Sequence, residues 1–148
     1  MSVEPNQSAW AGFALSVVAL GVAAFHFYAL AIQPLDPVVF RAWHLGGLVV
    51  FGAALSLRDD SGFRRYSALP LALAFVAGAV YITLELRGVT MRAGVRPSAL
   101  DLWFSVATIV VVLEFTRRTT GNAIFLLALA AIAYGLFGNH LPDMIAHR

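Results

Sequence analysis

Apolar residues gather in five long runs, each closed by charge, proline or glycine. The runs predict helices over residues 9–32, 38–57, 66–86, 99–118 and 122–138. A helix needs ~20 apolar residues to cross a hydrocarbon core of ~30 Å. The first three runs qualify outright. The fourth reaches that length when Arg117 and Arg118 extend their long side chains to the headgroups. The fifth is short. Backbone groups in lipid must be hydrogen-bonded within their own segment, which selects helices. Alternating strands of about ten residues, the mark of a barrel, are missing.

Local punctuation agrees with the runs. Ser98-Ala99-Leu100-Asp101 follows Pro97 and has capping-box spacing, placing the start of helix four. Gly121 is positioned to terminate that helix and Asn122 to cap the next, while Gly138 closes helix five before Pro142. The expected fold is therefore an all-α membrane protein. It is a bundle of about five transmembrane helices in a single membrane domain covering 1–148. The amino terminus has no positive n-region, only Glu4 before Ser8, and its apolar run is too long for a cleavable signal. Helix one is expected to stay as an anchor.

Composition strengthens this reading. The 148 residues are 60% hydrophobic and 12% charged, against about 45–50% and about 25% in soluble domains. So little charge cannot coat a globule. A net charge of +2 also lacks the basic stripe that nucleic-acid binding needs. Every cation is an arginine, and there is no cysteine, hence no disulfide framework, thiolate metal site or thiol nucleophile. Orientation stays open. Arg58, Arg64, Arg65, Arg117 and Arg118 fall on the amino-terminal side, and Arg41, Arg87, Arg92, Arg96 and Arg148 on the other, so positive-inside counting ties.

Ionisable groups inside a membrane are the first functional candidates. His26 lies about six residues before the end of helix one, and His44 a similar distance after the start of helix two. On antiparallel neighbours they share one depth. Two readings follow: axial ligation of a haem, or plain interfacial hydrogen bonding beside Tyr28 and Arg41. Glu114 precedes Arg117 and Arg118 by three and four residues, which puts opposite charges on one helix face. That cluster either closes a helix end at the headgroups or meets a partner or anionic lipid. Glu85 and Asp101 flank a loop carrying Arg87, Arg92 and Arg96, where a local ion-pair network is expected. Arg58, Arg64 and Arg65, interrupted by Asp59, Asp60 and Gly62, read as a solvated turn. Small residues spaced by four at Gly12/Ser16, Ala42/Gly46, Ala74/Gly78 and Ala131/Gly135 permit close helix packing. Trp10, Trp43, Trp103 and Tyr66 stand where an aromatic belt would be. No HExxH, P-loop, GxGxxG or Ser/His/Asp constellation appears, and no cofactor is called for. Nor is there the mid-membrane charge of an ion carrier. An accessory membrane subunit, not an enzyme, is the expectation from the residues.

Three stretches occur in order. Arg92-Ala93-Gly94-Val95-Arg96-Pro97-Ser98-Ala99-Leu100-Asp101 is followed by Leu113-Glu114-Phe115-Thr116-Arg117-Arg118-Thr119-Thr120-Gly121. Tyr134-Gly135-Leu136-Phe137-Gly138-Asn139-His140-Leu141-Pro142 comes last. This succession resembles the amino-terminal membrane region of TRAP transporter permeases, above all the TAXI type. There the pattern reads roughly RxGxPxxxD, LExTRRxxG and YxLFGxxLP. Arg41-Ala42-Trp43-His44-Leu45 and Phe25-His26-Phe27-Tyr28 resemble further stretches of the family. Pro142-Asp143 departs from the family's frequent Pro-Gly, and the chain stops at Arg148 where fused permeases continue.

The resemblance implies a separately encoded small, Q-type subunit: a four-helix module plus one additional short carboxy-terminal helix. It implies a bacterial inner-membrane location with a cytoplasmic amino terminus. Implied partners are a large elevator-type transport subunit, an extracytoplasmic substrate-binding protein and membrane lipids, in sodium-driven uptake of small organic anions. Arg41, His44, Glu114, Arg117 and Arg118 then become interface or headgroup anchors. Arg92 and Arg96 become candidate contacts for the binding protein, and Ser98 and Asp101 remain a cap.

Overall fold

The computed structural model describes residues 5–138. Residues 139–142 of the last family-like stretch, together with His147 and Arg148, lie outside the described residues. Their regular structure is all helical, with no strand among the described residues. Helix α1 (Pro5–Phe27) runs into a π-helical turn over Tyr28–Ile32; α2 covers Pro37–Asp59 and α3 covers Gly62–Leu84. A short α4 (Leu86–Arg92) precedes α5 (Ala99–Thr120) and α6 (Asn122–Phe137). Four segments, Gly12–Ile32, Pro37–Asp59, Gly62–Leu84 and Ala99–Thr120, are long and apolar enough to cross a membrane. The predicted fifth span, α6, has 16 residues. At 1.5 Å per residue it measures about 24 Å, short of a ~30 Å core.

The ends of the helices follow from local chemistry. The Asp36 carboxylate accepts the Val38 amide at 2.8 Å and Pro37 occupies the first turn, so α2 starts sharply. The solvated turn expected around residues 58–65 shrinks to Asp60 and Ser61, because α3 begins at Gly62 instead of 66. Gly62 takes φ +56°, and Asp60 reaches Arg64 at 3.8 Å across the first turn of α3. The loop expected after residue 86 holds α4, separated from α3 by a single break at Glu85 (φ −105°, ψ 18°). Seven residues containing two arginines give no apolar run, which hides α4 from hydropathy. Between α5 and α6 the connector is one residue. Gly121 has φ +82° and ψ −171°, a conformation open to glycine alone, and it occupies the N-cap position expected of Asn122, the first residue of α6.

The chain divides into two compact units, one up to Val111 and one from Val112. In the first, α2 and α3 make the most extensive helix contact. The buried positions of α2 are Val39, Gly46, Val49, Ala53 and Ser56, and those of α3 include Ala68, Ala72, Phe75 and Ala79. Steps of three, four and seven put each set on one face. Most of these residues are small, so the helices approach closely and Phe75 fills the space over Gly46, 3.5 Å from where a Cβ would stand. Lipid is as apolar as the helix faces, so close van der Waals packing has to hold such helices together. Helix α1 packs on α2, where a Cβ on Gly47 would come within 3.0 Å of Val22. Gly78 similarly faces Phe104 and Thr108 of α5. By contrast, among the described residues a Cβ on Gly12 or Gly135 would meet nothing within 4 Å, so there two of the four small-residue pairs serve packing through their glycine and two do not. Pro70 sits inside α3 on an exposed face. The second unit comprises the last turns of α5 and all of α6, and no residue of α6 is buried.

Candidate functional site

Three polar constellations interrupt the apolar surface. The largest centres on Asp101, in the first turn of α5. Its carboxylate accepts two bonds from Arg92, Nε to Oδ2 at 2.9 Å and Nη2 to Oδ1 at 3.1 Å. Tyr81 of α3 donates its hydroxyl to Oδ1 at 2.7 Å. The Ser98 amide donates to Oδ2 at 2.7 Å, and the Ser98 hydroxyl accepts the Asp101 amide at 3.1 Å. These last two are the reciprocal bonds of a capping box. One carboxylate thus joins α3, the end of α4 and the start of α5. Hydrogen bonding to Asp101 holds the Arg92 guanidinium above its ordinary range.

The expected network around this loop is narrower than its charges suggest. Among the described residues, Glu85, Arg87 and Arg96 make no ion pair, and only Arg92 reaches a carboxylate. The turn after α4 explains the choice. Val95 and Arg96 return their amides to the Arg92 carbonyl and Gly94 takes φ +75°, which brings Arg92 back over the start of α5. Of the two arginines expected to meet the binding protein, Arg92 is engaged within the chain and Arg96 is exposed. Beside the cluster, a mostly apolar pocket of about 340 Å³ is lined by Tyr81, Ile82, Val89, Phe104 and Thr108, with Asp101 in its wall.

The second constellation is the histidine pair. His26 Nε2 and His44 Nδ1 lie 2.6 Å apart, with ring centroids at 4.9 Å and planes nearly perpendicular. His26 Nδ1 is 2.7 Å from the Val22 carbonyl, one turn back in α1. Phe25 and Phe40 complete a four-ring cluster: Phe25 stands edge-on to His26, and Phe40 stacks on both Phe25 and His44. This geometry does not fit the haem reading. A haem iron would have to be held between the two imidazoles, whereas these nitrogens are hydrogen-bonded directly to each other. Among the described residues no three histidine, aspartate or glutamate side chains converge to hold a metal.

The third lies at the carboxy-terminal end of α5. Glu114 accepts Arg117 through Nε and Nη2, both at 2.9 Å, and Arg118 Nε at 2.7 Å. Arg118 also lies over the Phe115 ring at 5.5 Å, and its side chain is covered, while Arg117 is exposed. Both ion pairs of Glu114 lie within one helix. Arg41, another expected anchor, is exposed and makes no ion pair among the described residues.

Several contributors carry no signal in their spacing. Tyr81 is twenty residues from Asp101, and Trp43, assigned to an aromatic belt, donates Nε1 to Thr83 Oγ1 at 3.0 Å between α2 and α3. Trp10, Trp103 and Tyr66 are largely exposed. Tyr28 donates to Gln33 Oε1 at 2.8 Å across the π-helical turn, whose backbone closes with the Gln33 amide on the Tyr28 carbonyl at 3.0 Å. For all of these the one legible sign is a polar residue standing alone in an apolar run.

No protein-family model matches the chain, and no curated protein or solved structure is significantly similar to it.

Proposed function

We propose that the chain is the small membrane subunit of a tripartite, binding-protein-dependent uptake transporter of the TRAP type, TAXI branch. In this reading it is a fixed scaffold for a large elevator-type subunit that carries small organic anions with sodium. The chain lies in a bacterial inner membrane with its amino terminus in the cytoplasm, and α6 is an additional short fifth span. It is not an enzyme and needs no cofactor. The exposed Arg96 belongs to the surface that receives the extracytoplasmic binding protein.

One observation carries the scaffold role. The two most charged of the family-like stretches, 92–101 and 113–121, form hydrogen-bonded and ion-paired clusters at the two ends of α5. Between those ends, α5 carries no charged residue from 102 to 113. A helix closed at both ends by internal ion pairs suits a static support better than a moving carrier. The histidine pair gives no route either, because the His26 Nδ1 proton ends on a backbone carbonyl.

The test is reconstitution. In proteoliposomes, the large membrane subunit and the binding protein that this reading requires should take up organic anion down a sodium gradient only when this chain is included. The chain alone should transport nothing. Uptake that is unchanged without it, or transport by the chain alone, overturns the proposal.

A further inference from the structure

The histidine pair supports an inference that does not depend on the transporter reading. A carbonyl oxygen only accepts, so the 2.7 Å contact to Val22 requires the proton of His26 on Nδ1. In an uncharged pair His26 Nε2 is then bare and must accept from His44 Nδ1–H across the 2.6 Å contact. That leaves His44 Nε2 without a proton. His44 is exposed, whereas His26 is only half-exposed between Phe25 and Phe40. The network therefore fixes both tautomers and leaves one bare ring nitrogen, His44 Nε2.

We propose that His26 and His44 form a one-proton binding site that clasps α1 to α2. A hydronium ion gives a proton to His44 Nε2 and leaves as water: one O–H bond breaks, one N–H bond forms, and the charge of the pair goes from zero to +1. The bridge becomes a hydrogen bond between an imidazolium and an imidazole, which is shorter and stronger than a neutral one, and Phe40 stacked on His44 presents its π face to the cation. A second proton has only one place to go, His26 Nε2. There it sets two N–H groups against each other across the same gap and opens the clasp.

The surroundings leave the pair to itself. Tyr28 is bonded to Gln33, Asp36 caps α2 through Val38, and Arg41 is exposed one turn before His44. From α3, which packs on α2, the groups at this end are Tyr81, bonded to Asp101, and Glu85 just beyond the helix. None of them is hydrogen-bonded to either imidazole. The consequence falls on α1. The bridge joins side chains of α1 and α2, and α1 makes its main helix contact with α2.

The full chain, labelled with ¹⁵N-histidine in phospholipid nanodiscs, tests this by side-chain nitrogen spectra across an acid titration. The expected neutral state has His26 protonated on Nδ1 and a scalar coupling through the hydrogen bond between His26 Nε2 and His44 Nδ1. Uptake of the first proton preserves that coupling, and uptake of the second abolishes it. In His44→Ala the coupling vanishes. His26 protonated on Nε2, no coupling at any pH, or a coupling that survives in His44→Ala overturns the proposal. The tautomer and coupling are read on the unaltered chain, so a poorly folding variant cannot mask the result.

Discussion

Asp101 and Glu114 each hold arginine on a single carboxylate near an end of α5, yet they do different work. Glu114 receives three bonds from two arginines, all from the next turn of the same helix. Asp101 receives two from Arg92, one from Tyr81 and one from the Ser98 backbone, drawing on three helices. Ion pairs within one helix contribute only a few tenths of a kcal/mol. The structural weight of a carboxylate therefore depends less on how many bonds it accepts than on how many elements it joins. Glu114 reinforces a helix that would form without it, while Asp101 decides where α4 and the following turn sit.

Asp101→Ala should test this contrast most severely. It strands Arg92, Tyr81 and the Ser98 amide together, so hydrogen exchange at Ser98 should accelerate and the melting temperature should fall furthest of the variants named here. Arg92→Ala comes next. It spares the capping box and the Tyr81 bond but releases the turn at 93–97, so limited proteolysis should cut there faster while α5 keeps its helicity. Ser98→Ala removes one side-chain cap and should cost about 1 kcal/mol in thermal or denaturant unfolding. Glu114→Gln retains an amide oxygen for one arginine and should cost about 0.5 kcal/mol or less, with a loss that shrinks as salt rises. If Glu114→Gln matched Asp101→Ala, joining elements would not be what separates the two clusters.

The same contrast explains what could be read from the residues alone. Ser98–Asp101 and Glu114–Arg118 are visible because their partners lie three or four residues apart and helix geometry supplies the rest. Four apolar spans are visible because their lengths match a bilayer. Three arginines in one loop are equivalent by spacing, and only the path of the chain through Gly94 selects Arg92 for Asp101. Tyr81, Trp43 and Thr83 find their partners across helix interfaces, at separations carrying no periodic signal. The histidines fall between these cases. Their common depth is readable from distance to the helix ends, but their direct bond depends on the rotation of α1 about its axis, which Gly47 against Val22 helps to set.

The order of helix contacts bears on how the chain is made. Helix α1 packs on α2, α2 on α3, and α3 on α4 and on α5 through Gly78 and Tyr81. Each helix therefore finds its neighbour among segments synthesised shortly before or after it. Synthesis from the amino terminus delivers these segments at about 5–20 residues per second, so the partner of α1 follows it within seconds. The assembly of residues 5–111 then needs no wait for a distant segment and no rearrangement of helices already packed.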